Sequence, residues 1–95
     1  MFVGIMELHL ALFDDASIKD KRSVVKRVAH RCRNTFNVSV AETDDQDLLD
    51  RATLAVVAVS PSHPYVQGLL DKVEDFVERL AVAELLDAPK LVERY

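Results

Sequence analysis

Residues 17–36 read SIKDKRSVVKRVAHRCRNTF. Placed at about 100° per residue, Ile18, Val25, Val28, Ala29, Cys32 and Phe36 share one face, which predicts an amphipathic helix lying on a sheet. Ser17 is the natural N-cap, with Asp20 three residues on as the acid of a capping box. Seven of the twelve Lys/Arg lie in this run: Lys19, Lys21, Arg22, Lys26, Arg27, Arg31 and Arg33. Asp20 is its single acid, so the run carries +6 in a chain of net charge −4, and the remainder carries −10. Lys19, Arg22, Lys26, His30 and Arg33 form a band along one flank, with Arg27 and Arg31 further round.

Working outward, residues 2–13 alternate. Phe2, Gly4, Met6, Leu8, Leu10 and Leu12 predict a core-facing side. Val3, Ile5, Glu7, His9, Ala11 and Phe13 predict a mixed side on a central strand. Asp14-Asp15-Ala16 connects this strand to the helix. After the helix, NVSVAET (37–43) reads as a short strand, and DDQDLLD (44–50) as a polar connection with room for one helical turn. ATLAVVAVS (52–60) is uncharged and β-branched, a buried central strand. Pro61-Ser62-His63-Pro64 ends it and opens a second helix, whose core positions are Val66, Leu69, Leu70, Val73, Phe76, Val77 and Leu80. Its outer face is acidic: Asp71, Glu74, Asp75 and Glu78, relieved by Lys72 and Arg79. A last strand is predicted over Ala83–Asp87, ended by Pro89.

The order β-α-β-β-α-β predicts an α+β fold, the ferredoxin-like plait, with a four-stranded antiparallel sheet, first and third strands central, and both helices on one face. The 95 residues fit one domain. Cys32, the single cysteine, has no internal disulfide partner, which points to a reducing compartment. No apolar run approaches the ~18–20 residues a membrane span needs, and the first residues lack the basic start of a signal peptide. A cytoplasmic location is the expectation.

The chemistry-bearing residue types form no catalytic constellation. The acids Glu42, Asp44, Asp45, Asp47 and Asp50 lack the glycine and closing glutamate of an EF-hand, and turn formation is their expected role. His9, His30 and His63 have no metal-ligand spacing. Cys32 sits on the core stripe and is expected to pack. No metal or cofactor is implied. The third strand lacks stacking aromatics, no RNP-like run appears, and the G-x-x-G loop of KH domains is absent, so sheet-face or KH-type RNA recognition is not expected. An acylphosphatase-like site is disfavoured by the acidic 14–16 loop.

Two surfaces remain. The basic helix (Lys19, Lys21, Arg22, Lys26, Arg27, His30, Arg31, Arg33) has the clustered charge that binds phosphates without reading bases. A solvated helix face is the competing account of the same residues. The helix-free sheet face, with Val3, Ile5, His9, Phe13, Val57 and Val59, points to a covered surface and a homodimer, with a modest exposed patch on a monomer as the competing account.

The blocks SIKDKRSVVKRV, FNVSVAE, QDLLDRATLAVVAVS and LDKVEDFVE resemble, in order, those of the DUF503 or YlxP-like family of small bacterial proteins. This chain departs from the family pattern at Leu49 and at SPSHPY (60–65). The resemblance implies a ferredoxin-like plait. It also implies, from the company family genes keep, a role near ribosomes or structured RNA, and it brings no catalytic residues. The expectation is therefore a non-enzymatic RNA- or ribosome-associated module acting through the first helix. The alternative is a protein-interaction module, dimeric through the sheet face, whose basic helix docks an acidic protein.

Overall fold

The computed structural model describes residues 1–13 and 17–95. The connection Asp14-Asp15-Ala16, and with it the disfavoured acylphosphatase-like loop, lies outside the described residues. The elements are β1 (Phe2–Ala11), α1 (Ile18–Thr35), β2 (Ser39–Asp44), β3 (Arg51–Ser60), α2 (His63–Leu80), β4 (Glu84–Asp87) and β5 (Lys90–Arg94). The sheet is antiparallel in the order β2-β3-β1-β4, with β5 also paired to β1.

β1 and β3 run in unbroken register from Phe2 opposite Ser60 to Ala11 opposite Arg51. Directly paired residues share a face, so Met6 with Val56 and Leu8 with Leu54 build the floor of the core. Both helices cover that floor. Val28, Ala29 and Cys32 of α1 and Val66, Leu70, Val73 and Val77 of α2 are buried against it. At Gly4 the side chains of α2 pack directly on the strand backbone. A Cβ there would lie 2.3 Å from Val66 Cγ1 and 3.0 Å from Leu70 Cδ1.

α1 begins as its local sequence dictates. Ser17 Oγ accepts from the Asp20 backbone N–H at 3.1 Å, and Asp20 Oδ2 accepts from the Ser17 N–H at 2.9 Å. The bond from Ser17 N–H, and after it the one that Ser17 Oγ–H donates to Asp20 Oδ2 at 2.9 Å, hold the Asp20 carboxyl below its ordinary value. α2 is capped by Ser62, whose Oγ accepts from Tyr65 N–H, with Pro64 in the first turn and Ala81 closing the helix in left-handed backbone at φ 52°.

Three differences from the sequence reading have physical causes. The single last strand is two strands, β4 and β5, on the same edge of β1. Pro89 has no N–H to give, but its carbonyl accepts from Glu7 N–H at 3.0 Å, so pairing resumes immediately after it. The 44–50 connection forms no helical turn; Asp45 takes a left-handed φ of 61° and its carbonyl accepts from Leu48 N–H at 3.1 Å, closing a tight turn. Ile18 is 55% exposed, because the first turn of α1 overshoots the apolar floor.

Candidate nucleic-acid interface

α1 lies over β2 and β3, and β2 is the sheet edge. A groove therefore runs between one flank of α1 and the edge strand. Arg22, Val25, Lys26, Arg27, Ala29, His30 and Arg33 line it from the helix, and Glu42 and Gln46 from the opposite side. The spacing of these helix residues aligns four of the five members of the predicted band, and the band faces away from α2. Among the described residues, no acid of α2 lies within 4 Å of a basic group of α1. The acidic helix instead directs Asp71 and Glu74 at Lys90 of β5.

The predicted basic residues separate into three kinds. Lys19, Arg22, Lys26, Arg27 and Arg31 are exposed and have no ion-pair partner among the described residues. Arg33 and His30 are exposed but engaged. The Arg33 guanidinium donates to the Val40 carbonyl at 3.0 Å, occupying an acceptor on the β2 edge, and His30 Nε2 sits 3.0 Å from Asn34 Nδ2. Lys21 is a correction. It is 4% exposed, and its ammonium donates to the carbonyls of Asp45 and Leu48 and lies 3.5 Å from Glu42 Oε2. Its position on the wheel, between Val28 and Cys32, turns it into the protein. Its buried ammonium ties α1 to the β2–β3 turn and is spent there.

The same cluster orders Asp45, whose Oδ2 accepts from Thr53 Oγ1 at 2.8 Å. Glu42 Oε2 is buried without a hydrogen bond, and the Lys21 charge beside it is its compensation. The negative charge in the groove wall is thus neutralised internally. The unpaired positive charge of the groove comes from Arg22, Lys26, Arg27 and Arg33. Sequence reasoning missed this lysine lock, although a lysine seven and eleven residues before Val28 and Cys32 is a legible sign of it.

The open side of the sheet carries the second predicted surface. Val3, Ile5 and His9 of β1 stand beside Val59, Val57 and Thr53 of β3. Val59 is 59% exposed and Ile5 also reaches solvent. β5 adds Leu91, opposite Ile5 and 54% exposed, which the sequence reading did not include. Phe13 is set apart. It lies past the end of β1, beside Ala81 and Leu85 near the C-terminal end of α2. Cys32 is fully buried, and burial pushes its thiol up to about 11. Among the described residues, no helix is long and apolar enough to cross a membrane.

The fold and its groove define a ferredoxin-like plait with a cationic helix overhanging the sheet edge. A family model described as "Protein of unknown function (DUF503)" matches residues 3–89, and the chain belongs to that family. It is 36% identical over 76 residues to the uncharacterized protein YlxP of Bacillus subtilis (strain 168), covering 80% of this chain and 83% of the relative. Among solved structures it is similar to a de novo designed protein with a ferredoxin fold (TM-score 0.60, 14% identity), across 100% of this chain and 87% of that one. It is also similar to a mutant of SnoaB, a cofactor-independent oxygenase from Streptomyces nogalater (TM-score 0.53, 12% identity), across 99% and 92%. At these identities the two structures share a fold with this chain and nothing further follows about activity.

Proposed function

We propose that this protein is a non-enzymatic cytoplasmic module that binds the phosphate backbone of structured RNA, in the ribosome's company, through the exposed flank of α1. The observation that carries the reading is the set of cations without protein partners among the described residues: Lys19, Arg22, Lys26, Arg27 and Arg31. A solvated helix face in a folded protein tends to intersperse acids with its bases. α1 has one acid, and Asp20 is committed to the N-cap. The groove adds shape to charge, because a ridge of phosphates can lie between Lys26, Arg27 and the sheet edge while Arg31, further round the helix, reaches a neighbouring strand. The acidic α2 repels RNA from the adjoining surface and so orients the contact.

Co-sedimentation with ribosomal subunits across a salt series tests the reading. About four or five phosphates give a log–log slope of roughly −3 to −4.5. Arg22→Glu/Lys26→Glu removes two contacts without touching the Arg33–Val40 bond, and should flatten the slope by about 2. No association at low salt, or an unchanged slope in the variant, overturns the proposal. Association with a single acidic protein that survives nuclease would move the same residues to protein recognition.

A further inference from the structure

We propose that the groove between α1 and the β2 edge holds one unpaired guanine of the bound RNA and that Glu42 reads it, an inference that rests on the phosphate-binding reading above and adds a base to it. Glu42 stands where two lobes of the groove meet, of about 490 and 310 Å³, and lines both of them together with Val25 and Lys26. Its Oε2 is sealed off beside the Lys21 ammonium. The side chain keeps 26% of its exposure, so Oε1 is the open oxygen. Lys21 gives hydrogen bonds to the carbonyls of Asp45 and Leu48, so it offsets the charge of Glu42 without filling its acceptors. A carboxylate in the wall of a groove that takes phosphates repels a bare backbone. A base that brings N–H donors to it does not.

The helix wall opposite is cationic. Arg22, Lys26 and Arg27 have no ion-pair partner among the described residues. One wall therefore accepts and the other donates. Guanine is divided in the same way, with N1–H and N2–H on one side and the O6 and N7 acceptors on the other. Adenine and cytosine carry a ring acceptor beside their amino group, and uracil flanks N3–H with two carbonyls. Each of these turns a lone pair toward the carboxylate. The remaining polar lining groups are compatible: Gln46 both donates and accepts, and His30 is engaged by Asn34.

The floor between the walls is apolar. Val25 is half-buried, and Ala29, one turn on, is small and buried. A flat base at the junction covers both. Lys26 then meets O6, while Arg22 in one lobe and Arg27 in the other take the flanking phosphates. Arg33, held in place by the Val40 carbonyl, offers a fixed guanidinium on which a base can stack.

Fluorescence anisotropy of four RNA hairpins, titrated with the full chain, is the test. The hairpins share one stem and differ only in a single bulged nucleotide that cannot pair. The guanine bulge should bind about tenfold more tightly than the other three. The salt slope should be the same for all four, because the phosphates contacted are the same. Glu42→Gln, with its fold checked by urea midpoint, should reduce the guanine preference to about twofold or less, since its carboxamide loses the charge and sets an NH₂ among the donors. Equal affinity for the four hairpins with a steep salt slope overturns the guanine site, leaves the phosphate reading standing and needs no variant to fold. No binding of any hairpin at low salt removes the phosphate contact on which both rest. A preference unchanged in Glu42→Gln overturns the role of Glu42. Guanosine monophosphate that displaces the hairpins at equal concentration would make the ligand a free nucleotide and overturn the assignment to RNA.

Discussion

Lys21 and Glu42 face each other between α1 and the edge strand, ammonium nitrogen 3.5 Å from carboxylate oxygen, with the lysine almost wholly buried. The pair fastens the basic helix to the turn that follows β2. Removing the lysine leaves a buried carboxylate oxygen and two turn carbonyls without their donor. Lys21→Met is therefore expected to cost roughly 2–4 kcal/mol, read as a lowered urea midpoint. Lys21→Met/Glu42→Gln should cost less than the sum of the single changes. Strict additivity in that double-mutant cycle would refute the coupling.

Gly4 is held to glycine by space and not by backbone angle. Gly4→Ala drives a methyl group into Val66, and overpacking of this kind costs about 1–3 kcal/mol, less a few tenths regained from the stiffer unfolded chain. Val66→Ala in the same chain should relieve part of the loss. If Gly4→Ala raised the melting temperature, the close approach of α2 to β1 would be wrong.

Cys32 should be inert while the protein is folded. Its thiolate is suppressed by burial, with the thiol at about 11, and the thiolate is the reacting species. Alkylation at neutral pH is expected to proceed at the rate at which the core opens and to accelerate in urea. Rapid labelling in native buffer would show that α1 lifts from the sheet far more often than its packing implies.

Lys90 reaches from β5 to Glu74 and Asp71 of α2, and the Glu74 bond, ahead of the charges of the two acids, holds its ammonium above the ordinary lysine value. A raised folded value means that the tie is fully present below the unfolded value of about 10.4. It is lost as pH rises through the folded value above that. Lys90→Met should lower stability by about 1 kcal/mol at neutral pH, the group being only partly buried, and should flatten the alkaline end of the stability profile. An unchanged alkaline profile in Lys90→Met would refute the assignment.

The regular parts of this structure were legible because their signals are local. Ser17 and Asp20 announced the helix start by spacing alone, and the alternation through Met6, Leu8 and Leu10 announced a central strand. Lys21 escaped because charge was read as a synonym for exposure, whereas its angle on the helix places it over the core edge. β5 escaped because Pro89 reads as a stop. Whether a proline ends a strand depends on whether its missing donor was needed, and on an edge it was not. Ile18 shows the converse case: the apolar stripe is continuous in sequence, but the sheet beneath it runs out.

β1 obtains one neighbour from β3 and the other from β4 and β5, and the backbone of Met1 meets that of Tyr95, 94 positions away, in a pair of hydrogen bonds. The strand at the middle of the sheet is therefore completed by the segment most remote from it along the chain. Such closure is entropically late, and folding dominated by distant pairings is slow. Until residues 84–94 have docked, β1 presents a row of unsatisfied amides and carbonyls, the kind of edge on which chains aggregate. During synthesis the interval between emergence of β1 and arrival of β5 is the hazardous one, and a chaperone or an early second neighbour for β1 would act in that window.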